Sequence, residues 1–151
     1  MATSLYFCAP NYSYEVNYLQ LQRMKLDSCF KINHKVIDSV LLDFEETINH
    51  LDSISVKDYE LAAKQLSFYK QKQIFYDLVA EKSNRVDQIK NLQSDLLNGM
   101  MKFKQAKKYI NKEDSLLKVF LYYVSEFEVN LEYQINEYKK IKLQLDSVVN
   151  K

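Results

Sequence analysis

An all-α fold is predicted by three features of the sequence. One glycine, Gly99, and one proline, Pro10, punctuate 151 residues, whereas sheets and compact α/β folds need turn residues every ~8–12 positions. Apolar residues recur at steps of three and four along most of the chain, the period of a helix face. Apolar residues make up 47% and charged residues 27%, more apolar than a solvated two-stranded coiled coil requires, so some helix faces are buried on more than one side. The length suits one domain. The expected architecture is an elongated antiparallel helical hairpin or coiled coil, with a three- or four-helix bundle as the alternative.

Residues 1–11 read as a flexible N-terminus. Met1 to Pro10 has no basic segment and only about six apolar residues in a row, too few for a secretory signal. A first helix is predicted over 12–51, with Asn11 or Ser13 as N-cap. Its stripe is Leu19, Leu26, Phe30, Ile37, Val40, Phe44, Ile48 and Leu51. Asn33 falls inside that stripe, where a buried amide would fix register by tolerating only alignments that satisfy it. A reversal is predicted over 52–55: Asp52, Ser53 and Ser55 are cap-type residues, and Ser55-Val56-Lys57-Asp58 has the spacing of a capping box.

A long helix is then predicted over 56–149. Its first seam is Tyr59, Ala62, Leu66, Tyr69, Gln73, Tyr76, Ala80 and Ser83, followed by Val86, Ile89, Leu92, Leu96, Met100, Phe103 and Ile110. The strongest stripe is the last, through Leu117, Phe120, Val124, Phe127, Leu131, Ile135, Tyr138, Ile141, Leu145 and Val148. The phase passes through Asn98-Gly99 unbroken, and one glycine costs a helix only ~1 kcal/mol relative to alanine. A continuous helix would be a rod of roughly 140 Å with an apolar overhang that favours self-association. A break near 98–99 or 111–114 would instead allow a bundle and bury the wide apolar faces.

The sequence offers no catalytic constellation. Glycine-rich phosphate loops and nucleophile elbows need more glycine than this chain has. His34 and His50 have no histidine or cysteine three or four positions away, so they read as structural or surface residues rather than zinc ligands. Cys8 and Cys29 give no disulfide framework. The longest apolar run, Val119 to Val124, is far short of the ~20 residues of a membrane span. A cytoplasmic, non-enzymatic protein with no cofactor, no metal and no small-molecule substrate is expected.

Net charge is +1, from 21 Lys plus Arg against 20 Asp plus Glu, which favours a protein partner over nucleic acid or membrane. Lys102, Lys104, Lys107, Lys108 and Lys112 nevertheless follow Gly99 with no acidic residue among them. Lys104 and Lys108 share a helix face and are candidates for an acidic protein partner. A membrane-surface bundle using the same patch is a third reading. Twelve tyrosines, broad rings with polar tips, also suit an interaction surface.

The order of a helix of about forty residues, a serine-containing reversal and a long helix, with Lys57-Asp58-Tyr59-Glu60 and Gln105-Ala106-Lys107-Lys108-Tyr109, resembles the type III secretion central stalk family of YscO- and FliJ-like proteins. Many members carry Pro-x-Leu-Ser where this chain has Asp52-Ser53-Ile54-Ser55. The resemblance covers residues 19 to 140. It implies an antiparallel coiled coil in the pore of a hexameric export ATPase, contacting the export gate and escorting chaperones. Leu19 to Leu26 and Phe127 to Tyr138 would enter the ring, with Phe127, Leu131 and Tyr138 as binding candidates, while Tyr69 and Tyr76 would face other partners. The alternative is a helical-bundle scaffold, adaptor or chaperone in another assembly.

Overall fold

The computed structural model describes residues 11–54 and 58–149, and these form four helices: α1 (Ser13–Asp27), α2 (His34–Ser53), α3 (Tyr59–Leu97) and α4 (Phe103–Val149). The fold is all-α. Two compact units divide the chain: the first takes residues up to Cys29 together with Glu81–Leu121, and the second takes Phe30–Ala80 with the residues from Tyr122 onward. Helices α3 and α4 each contribute to both.

The single first helix expected over 12–51 is two helices. Helix α1 follows Tyr12, not Asn11 or Ser13, at the N-cap position, while the Asn11 side chain accepts from the Ser13 N–H at 3.0 Å. It ends where the Ser28 hydroxyl turns back onto the Met24 carbonyl at 3.0 Å. Asn33 is exposed rather than buried in a stripe, and it is the N-cap of α2. Its side chain accepts from Lys35 N at 3.0 Å and Val36 N at 3.4 Å, satisfying two of the donors a helix start leaves orphaned. Between the helices, Glu128 Oε1 accepts from the backbone N–H of Lys31 at 2.5 Å and of Ile32 at 3.1 Å. The connection is thus held by a buried carboxylate.

The proposed capping box at Ser55 lies outside the described residues. Asp58 caps α3 itself, accepting from Leu61 N at 2.9 Å. The long helix expected over 56–149 is interrupted at Gly99, not at 111–114. Gly99 has φ +66°, the left-handed conformation that ends helices because a Cβ there is strained. Met100 N–H reaches Asp95 O at 2.9 Å and Gly99 N–H reaches Leu96 O at 3.2 Å, the paired bonds of a Schellman motif. The ~140 Å rod therefore does not form.

In the first unit, α1 runs alongside α4 and against α3. Tyr12 OH donates to Met101 O at 2.7 Å and Tyr18 OH to Asp114 at 2.7 Å, while Gln93 Nε2 reaches Val16 O at 3.1 Å. Its buried residues include Leu19, Leu26, Ile89, Leu92, Leu96, Ile110, Leu117 and Phe120. Arg85 crosses from α3 to the Glu113 carboxylate at 3.1 Å, with both side chains largely buried. Hydrogen bonds from Lys118 and then Tyr18 hold the Asp114 carboxyl below the usual carboxylate range.

The second unit repeats that arrangement with α2 as the third segment. Asp38 pairs with Lys72 at 2.7 Å, Ser67 meets Gln134 at 3.4 Å, and Phe75 packs on Phe127 with ring centroids 6.1 Å apart. The rising order on α3 against the falling order on α4 makes these two antiparallel. Ile37, Leu41, Phe44, Leu51, Leu61, Phe68, Phe75, Phe127, Leu131 and Tyr138 form one core, with Phe30 and Ile32 packed against it.

One expected seam faces the wrong way. Tyr59, Ala62, Leu66, Tyr69, Gln73, Tyr76, Ala80 and Ser83 are all exposed, and α3 buries Leu61, Phe68, Gln71 and Phe75 instead. The physical reason is the aromatic content of the competing face: two phenylalanines bury more apolar area than tyrosines whose hydroxyls must stay satisfied.

Candidate protein-docking surface

The residues singled out from sequence fall into three separate settings. Phe127, Leu131 and Tyr138 belong to the core of the second unit, and Leu131 is 0% exposed. Leu131 and Tyr138 are therefore not a surface for a partner. A double alanine change at Phe127 and Leu131 would remove core packing rather than report on binding alone. Tyr69 and Tyr76 are exposed on the outer face of α3, the former donating to Glu45 Oε1 at 2.7 Å and the latter set edge-on to Phe75. Lys104 and Lys108 are exposed on the α4 segment of the first unit. His34 and His50 are exposed, and no group of three metal-ligating side chains occurs among the described residues.

Tyr138 is tied into a polar network within its apolar surroundings. Its ring stacks on Phe44 with centroids 3.8 Å apart, and its hydroxyl donates to Asp43 Oδ2 at 2.8 Å while lying 3.1 Å from the Thr47 hydroxyl. Lys142 completes the network on Asp43 Oδ1. Burial works to raise the Asp43 pKa, but the hydrogen bonds from Lys142 and Tyr138 outweigh it and leave the carboxyl below its usual value. Burial, opposed by Thr47 and reinforced by Asp43, pushes the Tyr138 hydroxyl far above the ordinary tyrosine value.

The folded state therefore keeps the Tyr138 proton to higher pH than the unfolded chain does. That contribution to stability is complete below about pH 10 and is lost as pH rises beyond it. Tyr138→Phe is expected to cost about 1 kcal/mol at neutral pH, through the lost hydrogen bond. It should also shrink the alkaline fall in melting temperature without abolishing it, since Tyr18 is shifted the same way by its hydrogen bond to Asp114. Melting curves at neutral pH and above pH ~10 measure both effects.

The surface best formed to receive a partner lies beside this core. An open groove of about 700 Å³ runs between the α3 and α4 segments of the second unit, lined by Ile74, Leu78, Tyr123, Phe127, Val129 and Tyr133, with Gln71, Glu126 and Asn130 as its polar groups. Val129 is 66% and Tyr133 64% exposed, and Ile74 and Tyr123 are open as well. Tyr122 extends the patch by packing edge-on to Tyr123 at 5.8 Å. Phe127 alone among the earlier candidates touches this groove, as part of its inner wall. Large rings and branched side chains left uncovered around a concave floor are the composition of a protein-binding site.

The signal for this surface was present in the sequence. Tyr122, Val129 and Tyr133 stand seven and four positions apart, which places them on one helix face away from Phe127 and Leu131. That face is less densely apolar than the core stripe of α4.

No helix among the described residues is long and apolar enough to cross a membrane. Comparison of the chain with protein-family models, with curated proteins and with solved structures finds no match.

Proposed function

We propose that the chain is a non-enzymatic protein-binding module that docks a partner helix or loop in the Ile74–Tyr133 groove. The observation that carries this reading is the exposed ring of Ile74, Tyr123, Val129 and Tyr133 around a floor that includes buried Phe127. Aromatic anchors of this kind dominate binding energy at protein interfaces. The second unit then works as a three-segment bundle whose α3–α4 face is left open for the partner.

The narrower form of this proposal places the chain in the cytoplasm as a stalk or escort component of a type III secretion export apparatus, with the export ATPase, export gate and chaperones as partners. It is supported by the sequence resemblance over residues 19 to 140. The break at Gly99, which folds α4 back along α3, is a departure from the single long helix that a plain two-helix stalk would have. A scaffold, adaptor or chaperone in another assembly would use the same groove.

Binding to a purified hexameric export ATPase separates the two. On the stalk reading the chain binds, and Val129→Asp combined with Tyr133→Ser weakens binding ~30-fold or more while leaving the melting temperature nearly unchanged. Absence of binding by the unsubstituted chain removes the stalk reading. A photo-crosslinker at position 129 or 133 then tests the general one in cells. It should trap one defined protein that a crosslinker at exposed position 46 does not, and identical patterns from all three positions would end the docking proposal.

A further inference from the structure

Connections between helices are usually polar, yet the α3–α4 turn of the first unit is not. Leu97 is 72%, Met100 75% and Phe103 58% exposed, three large apolar side chains within seven residues. Met100 stands at the position of a Schellman motif that usually packs back on the preceding helix. Here the residue it would meet is Asp95, so the rigid turn holds Met100 out in solvent. Tyr14, also exposed, lines a groove with Phe103 and Lys107 and widens the apolar surface.

Lysines dominate the charge around this turn, with Asp95 just before it on α3 and Glu15 beside Phe103 and Lys107 as the facing carboxylates. Lys102, Lys104, Lys107, Lys108 and Lys112 are all exposed, and none of them forms an ion pair among the described residues. No acidic residue occurs from 97 to 112. The nearest carboxylates following it, Glu113 and Asp114, are engaged by Arg85 and by Lys118. Elsewhere Lys64, Lys72, Lys90, Lys118, Lys140 and Lys142 pair with carboxylates, whereas Lys25, Lys31, Lys35, Lys70 and Lys139 are scattered cations with no ion pair among the described residues. The lysines of 102–112 are set apart by their density beside the exposed apolar turn.

We propose that the Leu97–Phe103 turn and its flanking lysines dock the protein on the surface of an anionic lipid bilayer. Leu97, Met100 and Phe103 are exposed together at one helix–helix connection, flanked by lysines, which suits insertion among anionic headgroups. Leu97, Met100 and Phe103 enter the headgroup boundary, and the lysine ammonium groups reach phosphate oxygens from their flexible stems. Neither signal suffices alone, but apolar insertion and polybasic attraction combine on one membrane. This contact is independent of the groove on the second unit.

Co-sedimentation of the full chain with phosphatidylcholine vesicles, with and without phosphatidylserine, tests the proposal. The chain is expected to pellet only with the phosphatidylserine vesicles, and less as salt is raised. Lys104→Glu with Lys108→Glu should weaken binding about tenfold or more, as should Met100→Ser with Phe103→Ser. All four side chains are exposed, so the variants should melt like the parent. Hydrogen exchange on the unsubstituted chain should slow over 97–108 when such vesicles are added. Absence of phosphatidylserine-dependent binding overturns the proposal and leaves an acidic protein as the occupant. Undiminished binding by the Met100→Ser, Phe103→Ser variant, or unslowed exchange over 97–108, overturns it as well.

Discussion

Phe44→Ala is expected to destabilise the second unit by about 4 kcal/mol, the largest effect of any single change considered. Phe44 is 1% exposed and lies between two rings, Tyr138 at 3.8 Å and Phe68 at 5.8 Å. Truncation removes the transfer free energy of the ring and leaves a cavity that three helical segments must close together. It also removes the surface that orients Tyr138, so the hydrogen bond it donates to Asp43 and its contact with the Thr47 hydroxyl lose their fixed geometry. A fall in melting temperature on the order of 10 °C should follow. Leu42→Ala, two residues away on the exposed face of α2, should change stability by no more than ~0.5 kcal/mol. Equal effects at the two positions would contradict the placement of this core.

Glu128→Ala is the second large expectation, at about 2–3 kcal/mol. The Glu128 carboxylate is 9% exposed and accepts two backbone N–H groups, from Lys31 and Ile32. Alanine leaves both donors without their acceptor at a partly buried site, where water replaces it poorly. Glu128→Gln retains an oxygen in the same place and should recover part of the loss. Hydrogen exchange distinguishes this account from general destabilisation: amides 31 and 32 should exchange faster in Glu128→Ala under conditions where the core of α4 remains protected. Unchanged exchange there would show that the carboxylate does not hold the connection.

Several of these features were legible in the sequence, and the failures have definite causes. The stripe of α4 is legible from Leu117 through Tyr138 because it is denser than the second apolar face of Tyr122, Val129 and Tyr133. In the first half, Leu26, Phe30 and Ile37 keep helical phase across a connection that is not helical. Phe30 reaches Phe75 from that connection, with ring centroids 5.4 Å apart, so its place in the pattern reflects burial without helix. Ser28 and Asn33 were the local clue, one a helix stop and the other an N-cap. Glu128, whose carboxylate anchors the break, is 97 residues from Lys31, a distance no local pattern reaches.

The α3 seam failed for a different reason. Tyr59, Leu66, Tyr69 and Tyr76 repeat as regularly as Leu61, Phe68 and Phe75, and periodicity alone does not say which of two apolar faces is covered. Gln71, buried on the true core face, makes that face look less apolar than it is. The groove residues Val129 and Tyr133 were lost to the same ambiguity on α4. A chain that is nearly half apolar has more hydrophobic faces than one core can cover, and the remainder forms the surface proposed here for partners.

The way α4 completes both units bears on how the protein is made. Arg85 and Glu113 are 28 residues apart, whereas Tyr18 waits 96 residues for Asp114 and Asp43 waits 95 for Tyr138. During synthesis, pairing of α3 with α4 can begin at the Gly99 turn as soon as that turn emerges, because its contacts are local. Helix α2 can meet α3 early, since Glu45 and Tyr69 are only 24 residues apart, but its α4 partners and those of α1 are made last. The nascent chain therefore carries α1 and α2 with part of their apolar faces uncovered until α4 is added, an interval in which collapse onto neighbouring chains competes with folding.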